Sequence, residues 1–376
     1  NRSLNIQRNV GRVAAPFAAY RDRVAPAGKV AMTDEPILSL LERALNARES
    51  LFDAQHQTAF RLFNGFYEGH PSLVIDLYAR TIILHNYAVP PADADSTIRT
   101  AQGFLQDRFA WLQAIILKTR NGSTMRDKQG VIIHGTAADN RVWEHGVCYA
   151  LDLQMNRDAS LYLDTRNLRK WAIEQLRGKT VLNTFAYTGS LGVAAQAGGA
   201  TRVLHFDLKR TFLNVAKTSY RLNGFPVHKG DFQVGDFWPH INHLKRTGER
   251  FDCVFLDPPF FAATSKGTVD LANNSTRLIN KVRPLINDGG YLVAINNALF
   301  LSGQDYIKTL ESLCADGYLQ IEGLIPVPDD FTGYEQTRLA SPPVDPAPFN
   351  HATKIALLKV RRKVKLGNGC ARSSGT

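Results

Sequence analysis

One stretch of the sequence joins a buried strand to residues that can orient a flat ring. Residues 251–256 are mostly apolar and run directly into Asp257-Pro258-Pro259-Phe260. The two prolines end the strand's hydrogen bonding and fix the backbone. The Asp257 carboxylate and the Pro258 carbonyl are therefore expected to face one spot, where Phe260 offers a ring for stacking. The pattern predicts a site for an extruded nucleobase.

A turn earlier in the chain could bind a nucleotide-like ligand. Asn183-Thr184-Phe185-Ala186-Tyr187-Thr188-Gly189 follows an apolar run, and its glycine lets the backbone approach a ligand closely. The turn lacks the G-x-G-x-x-G pattern, which argues against a nicotinamide cofactor. A plain strand-to-helix turn would look the same, so this turn alone leaves both interpretations open.

Two further acidic positions follow the next two apolar runs. Asp207 could accept hydrogen bonds from ribose hydroxyls, and Leu208 beside it could lie against an adenine ring. Asp231 could bind the amine of that ring and Phe232 could stack on it. Aspartate is also favoured as a helix N-cap, so ordinary caps remain an alternative at both places.

A sheet is needed to bring these residues together. From about residue 160, apolar runs alternate with helical patterns, which predicts a doubly wound α/β sheet of seven, mostly parallel strands. The proline-rich loop 328–350 before the last strand indicates that the final pair is antiparallel. The predicted strands are 180–185, 202–206, 227–230, 251–256, 291–295, 319–327 and 354–360, and the helices are 165–176, 189–198, 210–222, 271–287 and 303–316.

The chain is long enough for two domains. We predict a small α+β domain at 36–153 and the doubly wound domain at 154–366. The small domain is expected to hold strands at 59–64, 73–78, 80–87 and 114–118 and a helix at 101–112. Residues 1–35 are expected to be a basic, disordered extension that is either a transit-like or RNA-contacting tail or translated sequence upstream of a start at Met32. Residues 367–376 are expected to be a disordered tail.

The composition favours a polyanionic partner. The formal net charge is +11 and the pI about 9.5, and basic side chains bind phosphates. The candidate RNA contacts are Lys118, Arg120, Arg126, Lys128 and the ring of Phe261, although a run of charges is also typical of a solvated face. No apolar run approaches the length of a membrane span. The four cysteines form no C-x-x-C pair, so we predict a cytoplasmic protein without membrane segment or structural metal.

Taken together, Asn183–Gly189, Asp207, Asp231 and Asp257–Phe260 resemble the motifs of class I S-adenosylmethionine-dependent methyltransferases. Residues 58–361 further resemble bacterial large-subunit rRNA methyltransferases that carry a small α+β domain before the catalytic domain, and within them the guanine-N7 branch. The resemblance rests also on Lys118-Thr-Arg120, Tyr162-Leu-Asp-x-Arg166, Arg221-Leu-Asn-Gly224 and Asn296-Asn297. It implies S-adenosylmethionine as cofactor, and Asp164 and Arg166 as residues that help to close its site. The RNA-binding domain that often precedes the small domain in such proteins is not seen.

The residue types also bear on which atom is methylated. Carbon 5 of cytosine requires a nucleophilic cysteine, which the related enzymes place at the end of strand five, where this sequence has Asn297. Cys253 lies inside a strand and is interpreted as a core residue. Guanine N7 has a free lone pair and needs positioning and electrostatic support, which Asp257, Phe260 and Asn297 could provide, with Asn296 also at the guanine edge. We predict methylation of guanine N7 in large-subunit rRNA, with an exocyclic amine, cytosine C5, a protein or small-molecule substrate, or catalytically silent RNA binding as alternatives.

Overall fold

The computed structural model describes residues 35–264 and 267–362, apart from the side chains of 261–270 and 272–274. Residues 1–34 of the predicted extension and the predicted tail 367–376 lie outside the described residues. The described chain divides into two compact units. Unit 1 contains residues 35–54, 60–138 and 329–343, and unit 2 contains 55–59, 139–328 and 344–362.

Unit 1 is built on a five-stranded sheet whose strands lie in chain order. The strands are β1 (Ala59–Asn64), β2 (Leu73–Tyr78), β3 (Thr81–Asn86), β4 (Ala114–Thr119) and β5 (Val131–His134). The helices are α1 (Ile37–Ala47), α2 (Gly65–Glu68), α3 (Asp95–Arg108) and α4 (Met125–Gln129). Alternate apolar side chains of β1, β2 and β3 pack with α1 and α3 into one buried core, because successive strand residues face opposite sides of a sheet.

Part of the proline-rich loop 328–350 belongs to unit 1. The fully buried guanidinium of Arg48 pairs with Glu68 (2.9 Å) and donates to the backbone carbonyl of Asp330 (2.8 Å). The backbone N–H of Leu339 donates to the carbonyl of Tyr67 (2.7 Å). Segment 329–343 is therefore fastened to this unit by buried hydrogen bonds, which the sequence pattern of a loop did not predict.

Unit 2 contains the predicted seven-stranded sheet, with strand order β10-β9-β8-β11-β14-β16-β15. Its strands, including two hairpins outside that sheet, are β6 (Arg141–Glu144), β7 (Val147–Ala150), β8 (Thr180–Thr184), β9 (Arg202–Asp207), β10 (Phe232–Val234), β11 (Phe251–Leu256), β12 (Phe261–Thr264), β13 (Gly267–Asp270), β14 (Ile286–Asn296), β15 (Leu319–Leu324) and β16 (Lys354–Val360). Its helices are α5 (Arg166–Gln175), α6 (Ser190–Ala197), α7 (Arg210–Leu222), α8 (Phe237–Thr247), α9 (Leu271–Val282) and α10 (Gly303–Cys314). The strands pair in parallel except β16, which is antiparallel to both neighbours. The predicted fold class and the antiparallel final pair are confirmed.

The division between the units differs from the predicted boundary at residue 153. Hairpin β6–β7 belongs to unit 2 because its backbone is bound by α7 and the residue after it. The N–H of Cys148 donates to the Asn223 side chain (2.9 Å), and the N–H of Ala150 donates to the Ser219 hydroxyl (3.0 Å). The chain therefore changes unit between residues 138 and 139.

Two element predictions in unit 2 need correction. The third sheet strand is β10 at 232–234 and not 227–230, and helix α8 was not predicted. The apolar alternation of strand three lies in Phe232-Gln-Val234, whereas 227–230 contains one apolar residue. Among the described residues, no helix is both long and apolar enough to cross a membrane.

Candidate active site

The carboxyl ends of neighbouring strands meet at one edge of the unit 2 sheet. β11 lies between β8 and β14, with Leu256 beside Thr184 on one side and Ala294 on the other. β9 lies on the far side of β8. The segments that follow these strands consequently share one edge, which is where doubly wound sheets bind ligands. They carry the turn after β8, Asp207, Asp257 and Asn297.

The turn after β8 is held in an unusual backbone conformation. Phe185 and Tyr187 have φ values of +52° and +51°, which are uncommon for residues with a side chain. Two hydrogen bonds to β9 fix the turn: the N–H of Ala186 donates to Phe206 (2.7 Å), and the N–H of Tyr187 donates to the Asp207 carboxylate (2.9 Å). The turn after β8 and Asp207 are therefore joined by hydrogen bonds.

A neighbouring segment covers this turn. The Tyr187 hydroxyl donates to the carbonyl of Ala159 (3.1 Å), and the Thr188 hydroxyl donates to that of Ser160 (2.5 Å). The Tyr162 ring lies 5.2 Å from the Tyr187 ring. These contacts leave the side chains of Tyr187 and Thr188 anchored on protein, so they shape the site more than they present polar groups to it.

Asn183 does not occupy the position expected of a ligand-contacting residue. Its side chain is buried within the sheet and lies 3.4 Å from the ring of His205. Burial lowers the pKa of His205 to about 3, so this ring is neutral. The prediction that the Asn183 side chain contacts the cofactor is corrected: it packs inside the sheet.

Gly189 is required for packing. Its φ is +78°, and a Cβ added there would lie 2.5 Å from the Cβ of Ala216 on α7. A glycine at this turn was expected to let a ligand approach. The structure shows a helix contact that any larger side chain would break.

Asp207 and Leu208 lie as the sequence predicted, at the end of β9. The Asp207 carboxylate accepts the N–H groups of Tyr187 and Lys209 (2.8 Å), and partial burial raises its pKa. Each carboxylate oxygen keeps acceptor capacity beyond one backbone bond. Leu208 is 54% exposed, which leaves an apolar face beside an acidic group, as an adenosine would need.

Asp231 and Phe232 are at the wrong end of their strand, and their predicted roles are corrected. Asp231 precedes β10 and pairs with Arg202 at the start of β9 (2.9 Å). The Phe232 ring is buried and stacks on His205 at 4.9 Å. Both residues therefore lie away from the edge that carries Asp207 and Asp257.

The same dipeptide recurs five residues later, at the correct end. Asp236 follows β10 and caps α8 by accepting the N–H of Trp238 (2.9 Å). The Phe237 ring stacks on Phe185 at 4.7 Å. The N–H of Gly235 donates to the carbonyl of Asp207 (2.9 Å). Asp236 thus replaces Asp231 as the candidate acceptor, and a correct placement of β10 would have found it. Phe237 is buried and supports the turn through Phe185.

Asp257 is half-buried and lies near a second carboxyl group, that of Asp164. Burial and, to a smaller extent, the negative charge of Asp164 together raise its pKa to about 7. Asp164 accepts the Thr353 hydroxyl (2.9 Å) and precedes α5, where Arg166 donates to the carbonyl of Ala59 (3.4 Å). Two carboxyl groups that oppose each other's ionisation favour a cationic ligand.

Two asparagines at the end of β14 have different roles: the side chain of Asn296 holds the backbone, and that of Asn297 can bind a ligand. Asn296 is fully buried, and its side-chain oxygen Oδ1 accepts the N–H of Ala298 (2.9 Å), so its expected contact with a base is corrected. Asn297 is partly exposed, and its Oδ1 atom is buried without a hydrogen-bond partner among the described residues. The buried ammonium of Lys354 holds this turn by donating to the carbonyls of Ala298 (2.9 Å) and Ala352 (2.7 Å).

The diproline corner presents one aromatic ring at this edge. Pro258 is buried and Phe260 is 37% exposed. The carbonyl of Phe260 accepts the N–H of Leu271 (3.0 Å), which closes the base of hairpin β12–β13. The side chain of Phe261 lies outside the described residues.

The candidate RNA contacts of unit 1 differ in exposure. Lys118 lies on β4 and is fully buried, so the expectation that it contacts phosphate is corrected. Arg120 is partly exposed, with its guanidinium 5.5 Å from the Tyr87 ring. Arg126 is exposed and Lys128 partly exposed on α4. Three of the four basic side chains therefore remain candidates.

The position of the described thiols excludes one kind of chemistry at this edge. Cys253 is fully buried inside β11, and burial raises the pKa of its thiol far above the usual value. Cys148 is buried in hairpin β6–β7, and the third described thiol, Cys314, is the partly buried last residue of α10. The interpretation of Cys253 as a core residue is confirmed, and it is unsuited to act as a nucleophile.

Known proteins resemble the chain in sequence and fold. YwbD of Bacillus subtilis, whose name marks it as a candidate large-subunit rRNA methyltransferase, is 32% identical over 265 residues, covering 69% of this chain and 66% of YwbD. The ribosomal RNA large subunit methyltransferase K/L of Colwellia psychrerythraea is 27% identical, covering 74% of this chain and 39% of that protein. The chain thus spans less than two thirds of the length of either relative.

The fold also matches a solved structure. The crystal structure of SMU.776 complexed with SAH superposes with a TM-score of 0.74 at 21% identity, covering 86% of this chain and 81% of that one. A family model for S-adenosylmethionine-dependent methyltransferases matches residues 125–330. That range covers more than half of the 376 residues and includes the whole edge from Asp164 to Asn297. The chain therefore belongs to the S-adenosylmethionine-dependent methyltransferase family.

Proposed function

We propose that the protein methylates N7 of a guanine in large-subunit ribosomal RNA. The observation that carries this proposal is the pairing of the Asp257–Phe260 corner with Asn297 at the ends of adjacent strands. A cysteine nucleophile is missing from this described edge, while an aromatic ring, a carboxyl and a free amide oxygen are present. The names of the relatives support RNA of the large subunit as substrate.

The residues at the sheet edge suit S-adenosylmethionine. Asp207 and the exposed Leu208 offer an acceptor and an apolar face for the ribose and adenine, and the partly exposed Asp236 offers a further acceptor along the edge. Asp164 and Asp257 suit the cationic end of the cofactor, because a positive charge relieves their mutual repulsion. The bound cofactor would supply an electrophilic methyl group on a positively charged sulfur.

The protein's part in such a reaction is positioning and electrostatics. Guanine N7 carries a free lone pair, so no proton has to be removed before attack. Phe260 would stack on the base, and the Asn297 amide oxygen would accept an N–H from its edge. Asp257, fixed by the diproline, would stabilise the positive charge that develops on the ring. Correct orientation alone can contribute about 7–11 kcal/mol to such a reaction.

The product nucleoside tests the proposal directly. Purified protein is incubated with methyl-labelled cofactor and large-subunit rRNA from cells that lack the gene, and the nucleosides are separated by mass spectrometry. We expect the label in 7-methylguanosine. Label in 5-methylcytidine or in an N2-methylated guanosine would assign another atom. RNA binding without any labelled product would show a catalytically silent protein.

The two Asp-Phe dipeptides allow a matched test of the cofactor site. We expect Asp236→Ala to weaken cofactor binding by about 10- to 100-fold, since a hydrogen bond to a charged group contributes about 1.5–3 kcal/mol. Asp231→Ala, at the opposite end of β10, should bind within about twofold of the wild type. Calorimetric titration with S-adenosylhomocysteine measures both. The reverse order of effects would restore the original assignment to Asp231.

A further inference from the structure

Unit 1 carries an aromatic and basic surface that the proposed reaction leaves unexplained. The Phe66 ring is 36% exposed and packs edge-on against Tyr87, with ring centroids 4.9 Å apart. The Arg120 guanidinium lies 5.5 Å from the centroid of the Tyr87 ring. Leu339 is 46% exposed, and its backbone N–H donates to the carbonyl of Tyr67, the residue after Phe66 (2.7 Å). We call Phe66, Tyr87, Arg120 and Leu339 the Phe66 surface.

The backbone under the Phe66 surface is held by strand pairing and hydrogen bonds. Tyr87 and Arg120 each lie just past the ends of parallel strands β3 and β4, where Asn86 is paired with Thr119. The Asn121 side chain donates to the carbonyls of Tyr87 (3.0 Å) and Ala88 (3.3 Å). Segment 329–343 supplies Leu339 through its hydrogen bond to Tyr67. Exposed rings on a fixed backbone lose little entropy when a ligand stacks on them.

A basic helix follows Arg120 of the Phe66 surface along the chain. Arg120 is followed by helix α4, which carries the exposed Arg126 and the partly exposed Lys128. A capping box between Thr124 and Asp127 begins this helix and occupies the Asp127 carboxylate. The basic groups therefore follow the rings along the chain, which complements a polyanion that carries stackable groups.

We propose that the Phe66 surface binds unpaired nucleotides of the RNA substrate. Proteins that recognise RNA outside duplexes stack its bases on aromatic rings and contact its phosphates with basic side chains. Phe66 and Tyr87 provide the rings, and Arg120 with Arg126 provides the cations. This inference rests on the proposed function, because it states that unit 1 binds the RNA substrate of that reaction where the RNA is single-stranded.

The affinity for single-stranded RNA, measured over a range of salt concentrations, separates the contribution of ring stacking from that of phosphate contacts. The probe is a labelled, unstructured oligouridylate, compared with a duplex of the same length. Phe66→Ala should weaken binding to the single strand by about 5- to 150-fold at every salt concentration, because stacking contributes about 1–3 kcal/mol per base. Arg126→Ala should lower the salt dependence, by about 0.7 in the slope of log K against log salt. Phe66→Leu keeps the apolar volume without the ring and should show most of the loss.

Matched controls separate this inference from the proposed function. Trp143 is an aromatic residue, 40% exposed, on β6 of unit 2, and Trp143→Ala should bind RNA as the wild type does. Each variant should bind S-adenosylhomocysteine with unchanged affinity. If the wild type methylates RNA while Phe66→Ala and Phe66→Leu bind RNA without loss, the proposed role of the Phe66 surface is wrong and the proposed function stands. Equal losses for Trp143→Ala, or a preference for the duplex, would overturn it as well. Failure of the wild type to methylate any RNA would instead overturn the proposed function.

Discussion

Replacing Asp257 by asparagine is expected to lower the rate of methyl transfer by about 100- to 1000-fold, the loss typical when one preorganised electrostatic group is removed from an active site. The side chains have nearly the same shape, so the diproline corner should keep its conformation. The change removes the charge that would stabilise a cationic ring. Single-turnover transfer to rRNA measures the effect, and Asp252→Asn, at the opposite end of the same strand, is the matched control.

The same variant should remove a pH dependence of cofactor binding. Asp257 has a pKa of about 7 in the protein, so its charged fraction rises about tenfold between pH 6 and pH 8. Affinity for the positively charged S-adenosylmethionine should rise with it. S-adenosylhomocysteine has an uncharged sulfur and should show a flatter dependence. Asp257→Asn should bind both with little difference between the two pH values.

Asp257→Asn should raise the free energy of unfolding although it lowers the rate of methyl transfer. A carboxyl whose pKa rises from 3.8 to about 7 on folding takes up a proton between those values. The free energy of unfolding therefore falls as pH rises from about 4 to 7, and the full cost remains above pH 7. At pH 8 we expect Asp257→Asn to be more stable than the wild type by about 1–3 kcal/mol, since one pKa unit is about 1.4 kcal/mol and the side chain is partly hydrated. A variant that is inactive and also less stable at pH 8 would contradict this account.

A site residue could be predicted from the sequence where it directly follows a clearly apolar strand. Residues 251–256 are apolar and end at two prolines, so both the strand and the position of Asp257 could be predicted. Asp207 was found for the same reason, since an apolar run ends there. Strand β10 has three residues, and its weak pattern predicts a strand at 227–230 instead, which makes Asp231-Phe232 the candidate pair and leaves Asp236 unnoticed. A shift of five residues moved the candidate pair from one end of the sheet to the other.

Other features depended on contacts that are distant in sequence. Lys118 has the residue type of a phosphate contact, but β4 places it in the middle of a covered sheet. Hairpin β6–β7 was assigned to the small domain because it is close in sequence, whereas the side chains of Ser219 and Asn223 bind it to unit 2. The ends of their strands predict Asn183 and Asn296 as ligand contacts. Their side chains instead satisfy buried groups, which no local pattern distinguishes.

Hairpin β6–β7 also carries the interaction whose loss should destabilise unit 2 most. Arg169 on α5 is fully buried and pairs with Glu144 through two hydrogen bonds of 2.6 and 2.8 Å. Its remaining nitrogen donates to the carbonyl of Tyr162 and the hydroxyl of Thr165, both at 2.8 Å. These two residues flank Asp164. The pair therefore connects the hairpin to the turn that opposes Asp257.

Glu144→Ala would leave the Arg169 charge buried without its carboxylate, and we expect a loss of about 3–5 kcal/mol in the free energy of unfolding. Glu144→Gln retains an acceptor and should lose less. Glu174→Ala breaks an exposed pair with Lys170 on the same helix, at 4.0 Å, and should change stability by less than about 0.5 kcal/mol. Urea denaturation measures all three. Because Tyr162 and Thr165 also lose their fixed donor when Arg169 moves, cofactor affinity should fall in Glu144→Ala and stay unchanged in Glu174→Ala. Similar stabilities for these two variants would show that the buried pair is replaceable by packing.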